Sequence, residues 1–212
     1  MRSLQLGKVY PITSLNNRHD WNHAQLAEKY LQGGGNFVQI RDTSLSDSVL
    51  YRQLLEVRSL CNSFKGQFLV NNRTDLALAV SANGIHLGQN DLPVKAARKL
   101  LGNKALIGLS THNRYQFQKA QCEDIDYVAL GPIFPTSTIP TANPPVGVET
   151  FKNLAAESRC PVVAIGGISL ERAQELWDAG AHSVAIISDI NQSTDVVKRI
   201  SQYLSLSKNL AQ

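Results

Sequence analysis

Cysteine is scarce in this chain and poorly placed for chemistry. The only three, Cys61, Cys122 and Cys160, lie far apart with no CxxC spacing. An odd, scattered set excludes a disulfide framework and a zinc site, and reduced, mostly buried thiols are expected. Long apolar runs are missing as well: no segment approaches the ~18 residues of a membrane-spanning helix. The opening stretch MRSLQLGKVYPIT has too short an apolar run for a signal peptide, so a cytoplasmic protein with no membrane role is expected. Charge is thin at 18%, with a formal net of +4 and no run of five basic residues. Dispersed charge of this size suits small anionic ligands and argues against nucleic acid. No P-loop, HExxH, GxGxxG or Ser/His/Asp order is present.

What the chain does have is repetition. Eight strand-sized apolar runs recur: 9–13, 37–40, 68–70, 84–87, 105–109, 126–130, 161–165 and 183–187. Each is rich in β-branched residues and bounded by turn formers. Between them lie segments with helical spacing, such as Leu50, Leu54, Val57 and Leu60. Ser44 and Asp47 are spaced like a capping box before that run, and Ser169 is placed to N-cap the segment that ends at Gly180. Strands alternating with helices imply right-handed crossovers and a parallel sheet. Eight such units in 212 residues predict a single (β/α)8 TIM barrel, an α/β domain spanning residues 1–212.

A barrel gathers the loops that follow its strands at one rim. Gln39 and Arg41, Asn71, Gln89 and Asp91, Ser110 to His112, Gly131 to Thr138, Gly166 and Gly167, and Ser188 all fall there. Gly166-Gly167 opens a helix after an apolar strand, and with Ile187-Ser188 it matches the phosphate cup that barrels build after strands seven and eight. The alternative is a tight turn that requires glycine. The loop GPIFPTSTIPTANPPVGVE, 131–149, is long enough to be a binding loop or lid, with Thr136, Ser137 and Thr138 as neutral donors to phosphate; the plainer reading is a solvated insertion. Arg41 in the barrel mouth needs an anion, and Asp42 faces the other way. Asp91 is either a ligand to a hard cation or the N-cap of the PVKAARKLL helix. His112 is a candidate acid or base.

Taken together and in order, PIT, QIRD, NNRTDLAL, GIHLGQNDLP, IGLSTH, DYVALGPIFPTSTIP, PPVGVE and AIGGI resemble the thiamin phosphate synthase family, which includes the thiazole tautomerases. The resemblance covers nearly the whole chain. It implies a transferase that joins 4-amino-2-methyl-5-hydroxymethylpyrimidine diphosphate to a thiazole phosphate with Mg²⁺, giving thiamin phosphate and pyrophosphate. By position it implies Gln39, Arg41, Thr43, Asn71 and Ser110 for the pyrimidine diphosphate, Asp91 and Asn72 for the metal, and Thr136, Ser137, Thr138, Gly167, Ile187 and Ser188 for the thiazole phosphate. Arg41, Ser110 and His112 are the candidate catalytic groups. Three positions depart from the family: Thr43 and Ile139 stand where lysine is usual, and Asn72 where a metal-binding aspartate is usual. All three remove charge from the pyrophosphate end. A tautomerase using His112, or a silent thiazole-phosphate-binding paralogue, is the alternative. Oligomeric state is left open.

Overall fold

A computed structural model describes residues 3–15, 21–139 and 143–208. Eight parallel strands follow the predicted runs: β1 (Val9–Pro11), β2 (Phe37–Ile40), β3 (Gln67–Asn71), β4 (Gly84–Leu87), β5 (Leu106–Thr111), β6 (Tyr127–Leu130), β7 (Val162–Ile165) and β8 (Ser183–Ile186). Their order around the sheet is β1-β8-β7-β6-β5-β4-β3-β2. Closure between β1 and β2 comes from the bridge Ile12 to Gln39, with Thr13 N–H donating to Gln39 O at 2.9 Å. The predicted (β/α)8 barrel is therefore the fold.

The period of two along each strand divides the apolar residues into two cores. One parity points inward, where Tyr10, Phe37, Leu69, Leu106, Tyr127, Ala129, Val163 and Ala185 fill the barrel. The other points outward, where Val38, Val70, Ile85, Ile107 and Val128 meet the helices. The same parity carries upward to the rim: Gln39, Arg41, Asn71, His86, Ser110, His112, Gly131 and Ile187 continue inward-facing rows. The residues that line this mouth are therefore extensions of the rows that pack the barrel.

Several helix starts differ from expectation in detail. The helix Asp47–Phe64 begins after Ser46, not through a Ser44 box, because Asp42 Oδ1 already accepts the N–H groups of Ser44 and Leu45 at 2.7 and 2.6 Å. The helix Val94–Leu101 is entered through Pro93, and Asp91 bends back to accept from Gly88 N–H at 2.6 Å. Asp91 is thus not that helix's cap. Ser169 does occupy the N-cap position of the helix Leu170–Asp178, yet its hydroxyl makes no capping bond to the helix backbone. Of the thiols expected to be mostly buried, Cys61 is buried, Cys160 is half-buried and Cys122 is exposed.

Candidate functional site

A cavity of about 250 Å³ opens at the rim formed by the strand C-terminal ends. The strand order fixes what faces what. β2, β3 and β4 form one arc and bring Arg41, Asn71, Asn72 and Asp91 to one wall. β6, β7 and β8 form the facing arc and bring Thr136, Thr138, Gly167, Ile187 and Ser188. Between the two arcs stand Ser110, near the end of β5, and His112, just beyond it. All but two of the candidate residues thus share one cavity. Thr43 and Ser137 are the exceptions, exposed on their loops and outside the lining.

On the first wall, burial lowers the pKa of the Arg41 guanidinium and the nearby Asp42 carboxylate offsets part of that effect; an arginine keeps its charge regardless. Among the described residues Arg41 has no ion-pair partner. Asp42 is committed elsewhere, its Oδ2 accepting from His23 Nε2 at 2.9 Å, while His23 Nδ1 lies 2.8 Å from Thr13 Oγ1. That same Thr13 oxygen accepts the Arg41 backbone N–H at 3.2 Å. The result is a backbone anchored by neutral and paired groups and a cationic head left for a ligand anion. Asn72 takes a left-handed φ of 61°, a conformation asparagine tolerates.

Metal-binding capacity on this wall is modest. Among the described residues no group of three His, Cys, Asp or Glu side chains converges. Among the described residues Asp91 is the one carboxylate in the lining, which also includes Asn72. One carboxylate with an amide is a donor set that a hard cation such as Mg²⁺ accepts when other oxygens complete its shell.

The facing wall is built of neutral donors. Thr136 Oγ1 donates to Thr138 Oγ1 at 3.3 Å, and Thr138 Oγ1 donates to Ser188 Oγ at 3.1 Å. Gly167 has φ of 66°, and a Cβ there would stand 2.6 Å from Pro135 O, so only glycine allows this backbone to reach the cavity beneath the loop. The loop itself is stitched to β7 by Ile133 N–H to Ile165 O at 2.9 Å and Phe134 N–H to Gly166 O at 3.1 Å. Residues 140–142 of this stretch lie outside the described residues, as does any lid role there.

At the centre, His112 Nδ1 lies 2.7 Å from the Gly131 carbonyl. A carbonyl only accepts, so Nδ1 carries a proton and donates it there. His86 was not singled out from the sequence. It lines the cavity while buried in β4, with Nε2 2.8 Å from Ser110 Oγ and Nδ1 2.7 Å from Tyr127 Oη. Inward parity within GIHL was the available signal.

A family model, Thiamine monophosphate synthase, matches residues 9–190. The chain belongs to that family. Among curated proteins it is 39% identical over 205 residues to the thiamine-phosphate synthase of Synechocystis sp., covering 97% of this chain and 58% of that protein. It is 38% identical over 185 residues to the thiamine-phosphate synthase of Methanospirillum hungatei, covering 87% and 90%. The chain thus spans little more than half the length of the first relative and nearly all of the second. Among solved structures it matches a thiamine phosphate pyrophosphorylase from Pyrococcus furiosus with a TM-score of 0.88 and 27% identity, covering 97% of both chains.

Proposed function

We propose that the protein is a thiamin phosphate synthase, condensing 4-amino-2-methyl-5-hydroxymethylpyrimidine diphosphate with thiazole phosphate to give thiamin phosphate and pyrophosphate. The observation that supports this reading is a pair of facing arcs in one cavity, one carrying the Arg41 guanidinium and the other neutral hydroxyl and backbone donors. Two phosphorylated rings bound from opposite walls would meet between them, beside Ser110.

In the reaction the bond between the pyrimidine methylene carbon and the diphosphate oxygen breaks. Its electron pair leaves with pyrophosphate, and the thiazole nitrogen lone pair forms the new C–N bond. The chain's task is to stabilise the departing charge and align two rings. Arg41 offers a fork of donors to diphosphate oxygens, and Asn71 adds a neutral donor. Asp91 and Asn72 would hold Mg²⁺, which when bound neutralises diphosphate charge. Thr136, Thr138, Ser188 and the N–H groups around Gly167 and Ile187 would hold the thiazole phosphate, with Ser137 and Thr43 outside direct reach. Thr43, Asn72 and Ile139 leave the pyrophosphate side with less charge than the family pattern. A slow synthase follows, since one lost electrostatic contact costs ~10²–10³ in rate and coupled losses need not multiply.

The purified protein, given both substrates and Mg²⁺, is expected to release thiamin phosphate and pyrophosphate in equal amounts. No product above the uncatalysed background would end the reading. A second reading, thiazole phosphate tautomerase, is supported by His112, which lines the cavity with Nδ1 anchored on the Gly131 carbonyl. His112→Asn should then abolish isomerisation, and an unaffected isomerisation rate would reject that reading.

A further inference from the structure

A single file of hydrogen bonds crosses the barrel interior and has both ends in the cavity. Gln39 Nε2 donates to Tyr10 Oη at 2.7 Å. Tyr10 Oη lies 2.8 Å from Tyr127 Oη, Tyr127 Oη 2.7 Å from His86 Nδ1, and His86 Nε2 2.8 Å from Ser110 Oγ. Gln39, Tyr10, Tyr127 and His86 are all buried. Gly108 makes the file sterically feasible, because a Cβ there would sit 2.0 Å from Tyr127 Cζ.

We propose that this file is a polarity lock, in which every proton points from Gln39 toward Ser110, and that Tyr10, Tyr127 and His86 are positioning residues for that pair. Proton counting gives the direction. The Gln39 amide fills the first gap, so the Tyr10 proton must fill the second and the Tyr127 proton the third. His86 Nδ1 is then an acceptor. Burial holds the His86 pKa down to about 4, so the ring is neutral near pH 7 and has one proton to place, on Nε2, facing Ser110. The Ser110 proton is displaced into the cavity, and Gln39 keeps its Oε1 for a ligand donor. The pair therefore selects a ring that offers an amino hydrogen at the Gln39 edge and an electron-rich atom at Ser110. This consequence rests on the pyrimidine side of the proposed function; the proton order itself does not.

The decisive probe is the histidine tautomer, read by long-range ¹H–¹⁵N correlation on ¹⁵N-histidine protein, with the His86 signals assigned by their loss in His86→Gln. The Nε2–H form is expected in the unmodified protein. Finding Nδ1–H would mean that the Gln39 amide is turned over and the file runs backwards, which overturns the proposal. Tyr127→Phe preserves the ring while removing the proton given to Nδ1. It should mix the two His86 tautomers and lower kcat roughly tenfold, the scale of one lost hydrogen bond, with the KM for thiazole phosphate unchanged. An unaltered tautomer and rate in Tyr127→Phe would refute the positioning role. Absence of condensation in the unmodified protein would sink the proposed function and leave the tautomer result standing.

Discussion

Arg41 and Asp42 are consecutive residues that serve opposite faces of the barrel wall: Arg41 lines the cavity, whereas the Asp42 carboxylate lies 2.9 Å from His23 Nε2. The period of two in an extended chain enforces the split. Because Asp42 is occupied, the guanidinium is left for a ligand anion. Arg41→Ala should lower kcat/KM for the pyrimidine diphosphate by about 10²-fold and leave the KM for thiazole phosphate unchanged. Steady-state kinetics with each substrate varied in turn checks this, and an equal loss on the thiazole side would contradict it.

Asp42 itself is a structural group. Its carboxylate holds the Ser44 and Leu45 N–H groups and orients His23, which in turn fixes Thr13 against the Arg41 backbone. Asp42→Asn puts an amide donor or a weaker acceptor into those bonds. A loss of about 1–3 kcal/mol in unfolding free energy is expected from urea titration.

Acid should destabilise the fold before the carboxylates titrate. Burial holds the pKa of His86 at about 4 and that of His23 below its ordinary 6.5. Between pH ~6.5 and ~4 the unfolded chain therefore binds protons that the folded chain refuses. Stability then falls as pH falls through that window, by up to about 1.4 kcal/mol per pH unit for His86, and His23 adds in the same direction below pH ~6.5. Asp42 contributes further below that window. Burial raises its pKa, but the Leu45 N–H, His23 and Ser44 bonds outweigh this and leave it depressed, so its contribution is lost only as pH drops through the lowered value. Urea midpoints at about pH 7, 6 and 5 check the slope, which His86→Gln should reduce.

The barrel was legible because its signal is local and repeated: β-branched runs separated by helical periodicity place each of the eight strands within a few residues. The rim residues followed from strand ends alone. Less legible was whatever depends on competition between neighbours. Ser44 is spaced as a cap, but Asp42 takes the local N–H groups first. Asp91 is spaced as a helix cap, but the loop folds it back on Gly88. His86 escaped notice because a histidine inside an apolar tetrapeptide reads as core, and its importance comes from Tyr127 and Ser110, 41 and 24 residues away.

Charge restoration separates the three departures from the family pattern. Ile139 lines the cavity, whereas Thr43 does not. Ile139→Lys should therefore raise condensation turnover by roughly tenfold or more, and Thr43→Lys by less. Asn72→Asp adds a second carboxylate beside Asp91 and should lower the Mg²⁺ concentration needed for half-maximal rate. Initial rates across a Mg²⁺ titration read both effects.

The proposed synthase requires one cavity to hold two anions on opposite arcs of the barrel. A crystal structure of the protein with thiamin phosphate, pyrophosphate and Mg²⁺ tests it most directly. The phosphate of thiamin phosphate is predicted against Gly167, Thr138 and Ser188, and the pyrophosphate against Arg41, Asn71 and Asp91. Density placing both anions on the same arc, or either one outside the cavity, would contradict the account.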